Sequence, residues 1–181
     1  MILVLAILVL FGTLSVPHIR AYSAEAHLLG AGQVFRGEFR KARSMAVMRG
    51  VNTALRFEAH PDGWFLSTYA DGNRNGVLAS DIARGIDPRV GEARRLTTGS
   101  GDVQVAINPR TPAIPPESGT LEPADPIRFG NSNMLSFSPL GTATPGTFYL
   151  AGPFAQAAVR VTPGTARVRL MVCRGGRWTN R

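Results

Sequence analysis

The first sixteen residues, MILVLAILVLFGTLSV, carry no charge and almost no polarity, and Pro17 closes the run before His18 and Arg20. As a helix such a stretch spans roughly 24 Å at ~1.5 Å per residue, somewhat less than a ~30 Å hydrocarbon core. Apolar around its whole circumference, it makes a poor amphipathic core helix. A cleaved signal peptide is the other option. No Lys or Arg precedes the run, however, and no small-x-small site closes it. A membrane-spanning helix that the protein keeps is therefore the favoured reading of residues 1–16.

Beyond Pro17 the pattern turns amphipathic, and residues 17–50 read as a continuation of the same helix. Leu28, Ala31, Phe35, Phe39, Ala42 and Ala46 recur at steps of three and four, which aligns them on one face. Leu28, Phe35, Phe39, Ala42 and Ala46 are thus the expected helix-to-sheet packing residues. Arg36, Arg40, Lys41 and Arg43 crowd the polar side. Gly30, Gly32 and Gly37 each cost roughly 1 kcal/mol relative to Ala, which predicts a flexible or melted stretch in the middle. Residues 2–49 taken together would form one helix on the order of 70 Å long.

From residue 51 the period shortens. Residues 51–59 and 64–70 flank the turn His60-Pro61-Asp62-Gly63 and predict a hairpin. Further strands are expected at 102–107, 133–138, 147–151, 156–162 and 165–172, the last four as an antiparallel meander. Between Asn108 and Pro126 stand six prolines, so 108–126 reads as a polyproline-like surface loop. The expected architecture is α+β, a long N-terminal helix laid against antiparallel sheet, with 51–181 as its β-rich globular domain. A chain of 181 residues that is 44% hydrophobic has room for that one core and not for two large domains. Its single cysteine, Cys173, excludes an internal disulfide and a cysteine zinc site, and the three histidines form no recognisable metal motif.

These segments carry a resemblance. MILVLAILVLFGTLSVPHIRAY resembles the helix of type IV pilin-like proteins, in which an apolar segment runs to a proline and continues as an amphipathic helix. FRKARSMAVMR at 39–49 is similar to the AR-x-x-A signature of GspH/FimT-type minor pseudopilins, and NMLSFSPLGTATPGTFYL with AAVRVTPGTARVRL resembles their last strands. The resemblance implies a pilin-like fold and a non-enzymatic subunit of a type II secretion pseudopilus or type IV pilus. It further implies single-pass anchoring in a bacterial inner membrane with a periplasmic head. Expected partners are other pilin-like subunits, membrane lipid and secreted cargo, with DNA as the alternative. Precursors of this kind open with a short basic leader, a glycine and a Phe-Thr-Leu-Ile-Glu-type segment; none is present, so the expectation is a start upstream of Met1.

Two clusters invite chemistry. Asp71-Gly72-Asn73-Arg74-Asn75-Gly76 matches the opening of a calcium loop, with oxygen ligands at alternate positions and a glycine for the sharp turn. Asp71, Asn73, Asn75 and Asp81 are the candidate Ca2+ ligands. The twelfth position is Ile82 instead of Glu, and Arg74 opposes a cation, so a metal-free Asn/Gly turn is the competing reading. No other cofactor is suggested. The formal charge is +8, and after Asp125 the chain holds seven arginines and no carboxylate. Arg160, Arg167, Arg169, Arg174 and Arg177 would suit a phosphate backbone, with Trp178 stacking on a base. The alternative is a solvated basic face, or one that meets acidic subunits or lipid headgroups. With no G-x-S-x-G, P-loop or H-E-x-x-H, nothing points to an enzyme.

Overall fold

In a computed structural model the described residues are 20–181. Helix α1, Ile2–Arg49, enters that range at Arg20. The apolar run 1–16 lies outside the described residues, and among the described ones no helix is long and apolar enough to cross a membrane. From Arg20 onward α1 is unbroken through Gly30, Gly32 and Gly37. The sequence expectation of a melted middle is corrected there. Gly32 is a point of close approach, because a Cβ would lie 2.6 Å from Cδ1 of Leu170.

Two antiparallel sheets receive the helix. The first has the order β3-β2-β1-β5, from β1 (Thr53–His60), β2 (Gly63–Ala70), β3 (Arg94–Arg95) and β5 (Met134–Phe137). The second runs β4-β6-β7-β8-β9, from β4 (Ile127–Phe129), β6 (Gly146–Ala151), β7 (Gln156–Thr162), β8 (Arg167–Arg174) and β9 (Arg177–Asn180). A short helix, α2 (Ala79–Ala83), sits in the crossing from β2 to β3. The single meander expected from sequence is therefore divided. β5 leaves it to pair with β1, Leu135 opposite Leu55, while β6 to β9 follow one another as a true meander.

The core lies where α1 crosses both sheets. Leu28, Ala31, Phe35, Phe39, Ala42 and Ala46 are buried on one side of the helix. Phe39 stands edge-on to Phe57 of the first sheet at 6.1 Å and to Phe129 of the second at 5.7 Å. Phe57 and Phe129 stack at 5.7 Å, and Phe35 packs on Phe148 at 4.5 Å. Aromatic pairs of this kind add about 0.5–1.5 kcal/mol each beyond their burial. One ion pair ties the helix to each sheet, Glu38 with Arg94 and Glu25 with Arg174.

The outer face of the second sheet is also covered. Ile114 and Leu121, from the proline-rich stretch, join Ile107, Tyr149 and Ala158 in a second apolar cluster. The stretch 108–126 thus works as a lid on the sheet, with Trp178 Nε1 donating to the Pro112 carbonyl at 2.9 Å. Residues 102–107 do not form the expected strand; Gln104 makes only a bridge to Ala151. Val103 turns into the main core and Ile107 into the outer cluster, so the backbone cannot stay beside one strand.

Candidate functional site

The loop after β2 closes on three buried carboxylates, those of Asp71, Asp81 and Asp87. Asp71 Oδ1 accepts from the backbone N–H of Asn73 at 3.2 Å and of Arg74 at 2.6 Å. Its Oδ2 accepts from Gly76 N–H and from Asn52 Nδ2, both at 2.8 Å. Asp81 Oδ2 accepts from Asn73 Nδ2 and Asn75 Nδ2, each at 3.0 Å, while its Oδ1 takes the Arg84 guanidinium and the Ser80 hydroxyl. Asp87 accepts from Gly72 N–H at 3.0 Å and Leu78 N–H at 2.9 Å.

Burial pushes the Asp71 carboxyl up, but the Asn52 amide and the Gly76, Arg74 and Asn73 N–H groups outweigh it and leave the group below its ordinary value. Asn75, then Arg84 and Asn73, hold the Asp81 carboxyl down to about 2. All four candidate ligands are thus brought together, Asp71, Asn73 and Asn75 from the loop after β2 and Asp81 from α2. There the Asn amide nitrogens, which are donors, face the carboxylates. Among the described residues no group of three or more His, Cys, Asp or Glu side chains is arranged to hold a metal ion. Asp87 escaped the sequence reading. Its signal was the Asp87-Pro88 pair, a turn former, and the loop needs it because Gly72 lies against the Ile86 carbonyl, where a Cβ would sit at 2.0 Å.

The C-terminal arginines do not act as one patch. Arg160 pairs with Glu117 at 3.0 Å and Arg174 with Glu25. Arg169 lies opposite Arg160 in the β7–β8 register, and Arg167 stands two residues along the same face; both are exposed. Arg167, Arg169 and Arg177 have no carboxylate within ion-pair distance among the described residues. Together with Arg36 of α1, Arg167 and Arg169 line a hollow of about 240 Å³. Trp178 is half-buried, hydrogen-bonded through its indole and packed 6.4 Å from Tyr149, so its ring serves the outer cluster. Cys173 is buried, and that burial pushes its thiol up, away from the reactive thiolate.

A long helix crossing two antiparallel sheets, with its apolar stripe sunk into their shared core, defines a pilin-like subunit. Residues 31–176 match the family described as type II transport protein GspH. The chain belongs to that family. No curated protein and no solved structure matches it. Membership makes it a pseudopilin of the type II secretion kind, a structural component that associates with other pseudopilin subunits.

Proposed function

We propose that this chain is a minor pseudopilin moored in the bacterial inner membrane by residues 1–16, with its head on the periplasmic side, and drawn from lipid into a filament of pilin-like subunits that serves protein secretion. The observation that carries this reading is the two-sidedness of α1. One side is sunk in the core, while Tyr22, Val34, Val47 and Met48 stand exposed on the other; Met48 is 84% exposed. Those apolar side chains alternate with exposed Arg40, Lys41 and Arg43 on a face that no sheet covers, and such a mixed face suits neighbouring helices through apolar contact and charge together. Moving the apolar run from lipid into a bundle changes little hydrophobic energy, so side-chain fit along the run, continued on the uncovered face of α1 outside the lipid, selects the partner. Secreted cargo would meet the head.

Two measurements test this. Leu8→Arg puts a charge at the middle of the apolar run, which costs about 2.5–3.5 kcal/mol at the centre of a membrane helix, and carbonate-resistant membrane association is expected to be lost. Val34→Asp with Met48→Asp is expected to leave the head folded and abolish crosslinking to the other pseudopilins. Unchanged crosslinking would overturn the helix-face reading.

A second reading rests on Arg167 and Arg169, which stand exposed and without acidic partners on β8 beside Arg36. They suit a phosphate backbone, as a minor pilin that takes up external DNA requires. Mobility shift across a salt series tests it: a steep salt dependence lost in Arg167→Ala with Arg169→Ala supports DNA, and no shift at low salt removes it.

A further inference from the structure

At the end of the head nearest the apolar run, the β6–β7 turn displays Phe154 to solvent at 67% exposure. The turn is held, not loose: Gly152 N–H donates to the Ala155 carbonyl at 3.0 Å, and Asn108 Nδ2 donates to the carbonyls of Gly152 at 2.9 Å and Ala155 at 3.3 Å. Phe154 and Pro153 border a hollow of about 310 Å³ whose other wall is Ala21, Tyr22 and Glu25 of α1. Tyr22 is itself 79% exposed. Two aromatic rings beside one hollow differ from a singly exposed apolar residue, which needs no explanation.

Basic side chains ring the same pole. Exposed Arg20 precedes Ala21 on the helix, Arg110 lines the adjoining hollow with Phe154, and Arg177 follows the β8–β9 turn whose Gly175 and Gly176 line it too. Acidic neighbours are few: Glu25 is spent on Arg174, and Asp102 lies in the loop whose Ser100 hydroxyl meets His27. Along a helix, Tyr22 stands about 9 Å beyond Val16 at ~1.5 Å per residue, close to the outer edge of the ~5–8 Å headgroup layer that flanks the hydrocarbon on each side. Aromatic rings with a polar or charged fringe favour that layer, and arginines favour an anionic surface.

We propose that this pole is a lipid-docking surface: before assembly the head leans onto an anionic phospholipid layer, Phe154 and Tyr22 entering the headgroups and Arg20, Arg110 and Arg177 meeting phosphates. The inference rests on the anchoring of residues 1–16 proposed above. Docking would hold α1 at a fixed tilt and keep its uncovered face near the plane where partner helices lie.

The test uses the full chain reconstituted into vesicles of phosphatidylcholine, with or without phosphatidylglycerol, at several protein-to-lipid ratios. Flotation after carbonate treatment reads mooring. Quenching of a Phe154→Trp variant by lipids carrying a headgroup-level nitroxide reads docking, with the native chain supplying the Trp64 and Trp178 background. The expected result is flotation, with quenching at position 154 about twofold stronger with phosphatidylglycerol, weakened by salt and unchanged on dilution in lipid. Leu140→Trp gives the control. That loop meets Pro163 at the far end of β7 and should stay unquenched. A chain that floats with position 154 unquenched overturns docking and leaves the anchor standing. Quenching only at high protein-to-lipid ratio assigns the patch to a second copy and overturns lipid as the occupant. Equal quenching without phosphatidylglycerol overturns the part given to the arginines, and a chain that does not float removes anchor and docking together.

Discussion

Phe39 and Asp81 are both at 0% exposure, yet their surroundings have opposite chemistry. Phe39 meets rings from two sheets and its burial is favourable by itself, so the seam between α1 and the head is held by apolar area and shape. Asp81 is tolerable inside only because two Asn amides, a hydroxyl and a guanidinium satisfy its oxygens. The seam spreads its stabilisation over many residues that yield a little. The loop concentrates it in directed hydrogen bonds that do not yield. The two regions should therefore fail differently under mutation, acid and added cation.

The largest effect is expected at the seam. Phe39→Ala removes the ring that both sheets share and should cost about 3–5 kcal/mol, read as a drop in the denaturation midpoint of the head. A loss below about 1 kcal/mol would mean that the sheets close on each other without the helix, and would break the distinction at its strongest point.

Added methyl groups sharpen the contrast. At Gly72 the new Cβ would meet the Ile86 carbonyl, a backbone atom, at 2.0 Å, so Gly72→Ala is expected to cost about 1–3 kcal/mol. At Gly32 it would meet the tip of the Leu170 side chain at 2.6 Å. That tip can rotate, and Ala is the better helix former by roughly 1 kcal/mol, so Gly32→Ala should fall within about 1 kcal/mol of the native chain. Equal losses at the two positions would show that the loop is as compliant as the seam.

How far each region was legible follows from the same chemistry. The seam could be read because burial on a helix repeats at three and four residues; Leu28, Phe35, Phe39, Ala42 and Ala46 announce their own face. The hairpin at Pro61-Asp62 was legible from its turn residues, and the divided sheet was not. Whether the strand 134–137 pairs with β1 or with β6 depends on contacts between Leu135 and Leu55, which no local pattern encodes. The proline-rich stretch hid its role because Ile114 and Leu121 stand alone among prolines, without any period. In the loop, residue types gave the cluster of Asp71, Asn73, Asn75 and Asp81 and, with Ile82 in place of Glu and Arg74 inside the loop, favoured a metal-free turn over a cation without settling between them. Deciding between them takes the direction of each amide.

Acid separates the regions next. The Asp81 carboxyl is held down to about 2, and Asp71 is also below its ordinary value. A carboxylate depressed on folding contributes stability that is complete above its unfolded pKa, about 3.9, and is lost as pH falls through the folded value. The melting temperature is therefore expected to fall between about pH 4 and pH 2. In Asp81→Asn the melting temperature should start lower at neutral pH and fall less steeply across that range. Phe39→Ala should shift the whole curve without changing its shape. An acid limb identical in the native chain and Asp81→Asn would detach the loop from acid stability.

The smallest effect expected is that of a cation. Each oxygen of Asp71 and Asp81 already accepts an N–H or O–H donor, and the amide nitrogens of Asn73 and Asn75 point at the site that a Ca2+ ion would need. Binding would require both amides to turn over so that their oxygens face inward, and would set the ion beside the Arg84 guanidinium. Stabilisation by a ligand follows RT ln(1 + [L]/Kd), so a site of millimolar affinity yields only about 0.4 kcal/mol at millimolar Ca2+. Titrating Ca2+ into chelator-treated protein is therefore expected to leave the melting temperature within about 1 °C. A clear rise that disappears in Asn73→Ala with Asn75→Ala would show that the amides do turn, and that this densely hydrogen-bonded loop can rearrange around a ligand.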